Sequence, residues 1–154
     1  MNHKGFTLIE LMVCLAIMSL GISMAALSFG NISAAQANQT IDEISSALSR
    51  CRIDTMSRGG EVKLELYMEG KTAYCKLITN GVSHLTKLSS RVSIQYTLVG
   101  DTTVYDVAKD PLTLSYARDT GAFHPPGCTG ITVIGGRSSY HLVLVPSTGG
   151  QYRA

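Results

Sequence analysis

The stretch FTLIELMVCLAIMSLGISMAALSF, residues 6–29, decides how the rest of this 154-residue chain is read. It holds one charged residue, Glu10, and no Asp, Glu, Lys or Arg follows until Asp42. As a helix its 24 residues would reach ~36 Å at 1.5 Å per residue, enough to cross a ~30 Å hydrocarbon core. A secretory signal has an apolar region of only about 7–15 residues before its cleavage site, so this run reads as a membrane span. Lys4, in the basic start Met1-Asn2-His3-Lys4, places the N-terminus in the cytoplasm by the positive-inside rule, with the remainder on the other side. A plain anchor accounts for all of this except Glu10. A carboxylate within a span costs roughly 2.5–3.5 kcal/mol and ordinarily has a partner; the plainer reading is that it lies near the interface and snorkels.

Gly5-Phe6-Thr7-Leu8-Ile9-Glu10-Leu11-Met12-Val13 resembles the prepilin leader motif of type IV pilins and type II secretion pseudopilins. The resemblance implies that prepilin peptidase cuts between Gly5 and Phe6 and that Phe6 becomes the N-methylated first residue. It also implies that Glu10, fifth after the cut, is an assembly residue rather than a catalytic one. The physical chemistry is consistent: cleavage makes a cationic amine in a low-dielectric setting, where a neighbouring subunit's carboxylate attracts it far more strongly than in water.

Beyond the apolar run, residues 31–56 contain no proline, and Ile41, Ile44, Leu48 and Cys51 follow i, i+3, i+7, i+10, one face of a helix. Gly59-Gly60 is a stop signal. The helix is therefore expected from Phe6 to about Met56, apolar all round at first and amphipathic later. Gly21 and Gly30 suit close helix–helix packing at small residues; the alternative is that residues 18–32 unwind when the subunit leaves lipid.

After Gly60 the hydrophobic period changes from 3.6 to 2. Strands are expected over 62–69, 73–78, 92–98, 104–107, 112–117, 131–134 and 140–145, with Gly70-Lys71 and Asn80-Gly81 as turns. The fold class is α+β: a long N-terminal helix followed by a small antiparallel sheet or sandwich head. The layout is a leader over 1–5, a spine helix over 6–58 with its span at 6–29, and a head over 59–154.

The tail Gly121-Ala122-Phe123-His124-Pro125-Pro126-Gly127-Cys128, with Gly130–Val133, Tyr140–Leu144 and Thr148-Gly149, is similar to the GspH/FimT family of minor pilins and pseudopilins. That likeness implies a β-sandwich head and a place at a filament tip. Some members bind DNA through a C-terminal GRxR motif; here Gly150-Gln151-Tyr152-Arg153 stands at the matching place. Gln151 removes one phosphate-pairing charge, which leaves Arg153 and Arg137 as the candidate nucleic-acid contacts, against the ordinary reading of a solvated loop arginine.

A net charge of +2 gives no electrostatic footprint of a dedicated nucleic-acid binder. Cys14 lies in the apolar run, leaving Cys51, Cys75 and Cys128 for the exported part. An odd number allows one bridge, Cys75–Cys128 or alternatively Cys51–Cys75. No CxxC pair, HxxxH spacing or GxSxG elbow occurs, so no metal, cofactor or enzymatic role is expected. Gly135-Gly136-Arg137-Ser138 and Ser147-Thr148-Gly149-Gly150 precede no helical pattern and read as hairpin turns, not phosphate loops. The expected partners are prepilin peptidase, the membrane and other subunits through the N-terminal helix. The rival is a signal-anchored extracytoplasmic enzyme or binding domain outside any filament, which leaves Glu10 unexplained.

Overall fold

A computed structural model of the chain describes residues 7–154 except 59, 60 and 126, with backbone alone for 24–30 and 58. Where proline is absent and the apolar spacing is helical, the chain forms one unbroken helix, α1 (Leu8–Arg58), of 51 residues, roughly 77 Å long. It ends at the residue before Gly59-Gly60, the expected stop, which lies outside the described residues together with Phe6. The backbone stays helical through residues 18–32 in the isolated subunit.

The stripe read from the sequence is the seam of the molecule. Ala37, Ile41, Ile44, Leu48 and Cys51 are no more than 1% exposed. Thr55 shares that face, and its Oγ1 donates to the Cys51 carbonyl at 2.7 Å, so the buried hydroxyl is satisfied.

Nine strands follow: β1 (Val62–Glu69), β2 (Thr72–Thr79), β3 (Val82–Lys87), β4 (Ser93–Leu98), β5 (Val104–Asp106), β6 (Leu112–Ser115), β7 (Cys128–Gly135), β8 (Ser138–Val145) and β9 (Gly150–Arg153). They make a four-stranded sheet, β3-β2-β1-β6, and a five-stranded sheet, β5-β4-β7-β8-β9, antiparallel at each pairing. The architecture is the expected α+β one. Helix α1 lies against β1 and β2 of the first sheet and β7 and β8 of the second, so its stripe joins Leu64, Leu66 and Leu114 to Ile94, Ile131, Val133 and Leu142 in one core.

Seven of the strands match the period-2 reading; β3 and β9 do not come from it. All six residues of β3 are exposed, because this edge strand overhangs α1, so no buried face imposes an apolar alternation on its sequence. The Asn80-Gly81 turn that leads into it is as expected. Asn80 and Gly81 have φ of 52° and 82°, the left-handed pair that a tight hairpin turn requires.

The end of the head nearest Leu8 is fixed to the spine at two points. Ser89 Oγ donates to Gln36 Oε1 at 3.3 Å. The β7–β8 turn presses Gly135 onto α1 so closely that a Cβ there would meet the Ser33 carbonyl oxygen and come within 2.6 Å of Ala37 Cβ. Backbone cannot yield cheaply, so Gly135→Ala should destabilise the head by about 1–3 kcal/mol. Urea unfolding of the variant checks this; Gly21→Ala, where a Cβ meets nothing, is the control and should cost nothing. An unchanged midpoint for Gly135→Ala would show that the contact gives way.

Candidate assembly site

From Leu8 to Ile22 helix α1 is bare. Leu8, Ile9, Leu11, Met12, Val13, Leu15, Ile17, Met18, Leu20 and Ile22 are each 52–81% exposed, whereas the stripe from Ala37 onward is covered. Among the described residues no helix is long and apolar enough to cross a membrane; the span read from the sequence, 6–29, overlaps residues outside that description.

Glu10 occupies the first turn of α1. Its Oε2 accepts from Thr7 N and Thr7 Oγ1, both at 3.4 Å, while Glu10 N donates to Thr7 Oγ1 at 3.3 Å. Leu11 N donates to the Thr7 carbonyl at 3.2 Å to close the first helical turn. This is a capping box, Thr at the N-cap and Glu at the third helical position, satisfying amides the helix itself leaves orphaned. The positive end of the helix dipole favours the carboxylate further. The sequence reading missed this role, although Thr-x-x-Glu ahead of an apolar run is its visible signature. Gly5 and Phe6, the expected cleavage pair, lie outside the described residues.

The cysteines differ from expectation. Cys51, Cys75 and Cys128 are buried free thiols and Cys14 an exposed one; neither the Cys75–Cys128 bridge nor the Cys51–Cys75 alternative is formed. Cys75 belongs to β2 in the first sheet and Cys128 to β7 in the second. Cys128 Sγ contacts the Gly130 carbonyl at 3.2 Å. Each fills core space as a small apolar group. Burial pushes the Cys51 thiol up to about 12 and the Cys75 and Cys128 thiols up to about 11, so thiolate is suppressed at neutral pH.

The C-terminal pair is used inside the fold. Gln151 and Arg153 share the face of β9 that meets α1. Gln151 Nε2 donates to Ser45 O at 2.6 Å, Ser45 Oγ at 2.9 Å and Ser49 Oγ at 2.8 Å. Arg153 pairs with Asp42 at 3.2 Å, donates to Asn38 Oδ1, and lies 4.9 Å over the Tyr140 ring, a cation–π contact. Arg137 is exposed in the β7–β8 turn. Since Arg153 faces Leu142 across the β8–β9 ladder, the two arginines stand about 17 Å apart along the sheet at ~3.3 Å per residue and form no common patch. The polar stripe Asn38, Asp42, Ser45 and Ser49 on α1, at i, i+4, i+7 and i+11, was the signal for this latch.

Residues 1–26 match the family model described as the prokaryotic N-terminal methylation motif. The N-terminus thus carries a motif consistent with a type IV pilin-like prepilin leader, and that motif implies processing by prepilin peptidase and assembly with other pilin-like subunits. Searches of curated proteins and of solved structures return no match.

A thiol-directed maleimide should leave Cys51, Cys75 and Cys128 unlabelled in the native, detergent-solubilised protein and reach them only after unfolding. The intact mass should carry no two-hydrogen deficit. Rapid native labelling of the head, or a mass short by two hydrogens, would contradict the free, buried assignment.

Proposed function

We propose that the chain is a structural subunit, of the minor pilin or pseudopilin kind, of a type IV pilus-like filament. The machine it serves is a type IV pilus, a DNA-uptake system or a type II secretion system. The observation that carries this reading is the division of α1: ten large apolar side chains bared between Leu8 and Ile22, ahead of a stripe that the head covers. Soluble monomers rarely expose an apolar surface of that extent. Lipid covers it first, with the spine as a single-pass anchor and the head outside the cytoplasm, and neighbouring spines cover it later in the filament.

In this reading Gly5 and Phe6 flank the processing cut, and Glu10 takes a second partner on assembly. Within a bundle of apolar helices the amine newly made at Phe6 of one subunit faces the Glu10 carboxylate of the next, and each neutralises the other. A subunit out of axial register leaves both charges stranded, at roughly 3–5 kcal/mol, so the pair sets the rise of the filament. The tail likeness described above supports the minor over the major role. No observation favours the anchored enzyme.

Co-expression with an active prepilin peptidase tests the class of protein. The mature chain should lose residues 1–5 and gain one methyl group; a retained full-length mass, while a known prepilin in the same cells is cut, would remove the basis of the reading. The charge on Glu10 is tested apart from its cap. Glu10→Gln can keep the capping box, because Gln also serves at that position, yet it cannot neutralise an amine. Amide exchange at the start of α1 should stay as in the native chain, while incorporation into filaments should fall at least about a hundredfold. Normal incorporation of this variant would refute the ion-pair role.

A further inference from the structure

We propose that the end of the head nearest the apolar half of α1 is a docking surface for anionic phospholipid headgroups. The inference rests on the reading of residues 6–29 as a membrane anchor and goes beyond filament assembly.

Five cations lie on the turns at that end: Lys71 between β1 and β2, Lys87 at the end of β3, Arg91 before β4, Lys109 between β5 and β6, and Arg137 between β7 and β8. All five are exposed, and none of them has an ion-pair partner among the described residues. Three carboxylates share that end, Glu69, Asp106 and Asp110. Asp106 is partly occupied, since its Oδ1 accepts from Ala108 N at 2.9 Å. Everywhere else beyond residue 30, seven cations meet seven carboxylates. The net positive charge of the exported part therefore resides wholly at one end.

That end faces the bilayer. The apolar run closes at Phe29, and the contact of Gly135 on Ser33 comes four residues later, about 6 Å along a helix. The polar headgroup layer is itself roughly 5–8 Å thick on each side. The turns bearing these cations thus reach headgroup level when the spine spans the membrane, within the ~8 Å over which charges act at physiological ionic strength. Tyr67 and Tyr74 stack at 5.6 Å on the same half of the first sheet, and Tyr74 is the ladder neighbour of Lys87; tyrosine is the residue type that favours this interface. Phosphate-bearing lipids carrying a net negative charge fit these groups, and zwitterionic lipids do not.

Full-length protein reconstituted into phosphatidylcholine vesicles, with or without phosphatidylglycerol, provides the test through amide hydrogen exchange. With the anionic lipid, amides of residues 70–72, 87–91 and 135–138 should exchange about fivefold or more slowly, since each basic side chain near such a surface contributes roughly that factor. Added salt should abolish the difference, and Lys71→Glu together with Arg137→Glu, both on exposed turns, should do the same. Turns at the far end, 99–102 and 118–121, should not respond. Equal exchange in both lipids, or equal slowing at both ends, overturns the docking surface. Flotation of the same vesicles in high salt separates the two readings: protein that fails to float refutes the anchor, whereas protein that floats without lipid-dependent protection refutes the docking alone.

Discussion

Everything in the head depends on one helical stripe that two sheets share. Ile41, Ile44, Leu48 and Cys51 present a single apolar edge, and the inner faces of β1–β2 and β7–β8 both close on it. Neither sheet has another helix to cover it among the described residues, so each would keep an apolar face in water without α1. Truncating Leu48 to alanine would therefore be felt in both sheets, at the ~2–5 kcal/mol typical of a buried leucine. Spine and head share one core, and α1 meets β1, β2, β7 and β8 through that stripe.

The N-terminal half of the same helix obeys an opposite rule, since its apolar surface is satisfied only by something outside the chain. Glu10 gains a definite meaning in that setting. In the lone subunit its carboxylate closes a box with Thr7, a contact of a kind worth about 0.5–2 kcal/mol. In a dry bundle a carboxylate without a cation is costly, because losing one member of such a pair strands the other at about 3–5 kcal/mol. On the proposed function, a neighbour's amine meets that need on assembly, and the box keeps the carboxylate occupied and the first turn closed beforehand. On that reading one residue type would serve both stages, because a carboxylate accepts bonds from amides, hydroxyls and amines alike.

What the sequence disclosed followed from how much of each element is buried. The stripe on α1 and the alternation of β1, β2 and β4 were legible because one face of each is covered, which imposes a period on residue type. Strand β3 was not, since VSHLTK lies outside the cover of α1 and nothing selects its apolar positions. Strand β9 was hidden for a related reason: its inward residues, Gln151 and Arg153, meet the polar side of α1 instead of the core. The cysteines illustrate a different limit. A buried thiol and half of a disulfide are the same letter, and three head cysteines allow one bridge and a spare where the core uses Cys51, Cys75 and Cys128 as space-filling groups. The cap at Thr7 and Glu10 is legible as Thr-x-x-Glu, a signature overshadowed by the cost of a charge in an apolar run.

The grip of the head on the spine joins these features mechanically. It is held below by Gly135 on Ser33 and Ser89 on Gln36, along its length by the apolar stripe, and laterally by Gln151 and Arg153 on the polar side of α1. Contacts on three sides leave the head little freedom to tilt against the helix. The height of its basic end above a bilayer is then fixed by the depth of the spine, at 1.5 Å for each residue of withdrawal. Raising the spine by five or six residues lifts those cations through about 8 Å, a full screening length. Docking to anionic lipid would thus hold the waiting subunit at full insertion and fade within the first turns of its extraction. On these two proposals the attraction at the membrane surface would end before the apolar half of α1 had left the bilayer, and would resist only the start of the movement that assembly requires.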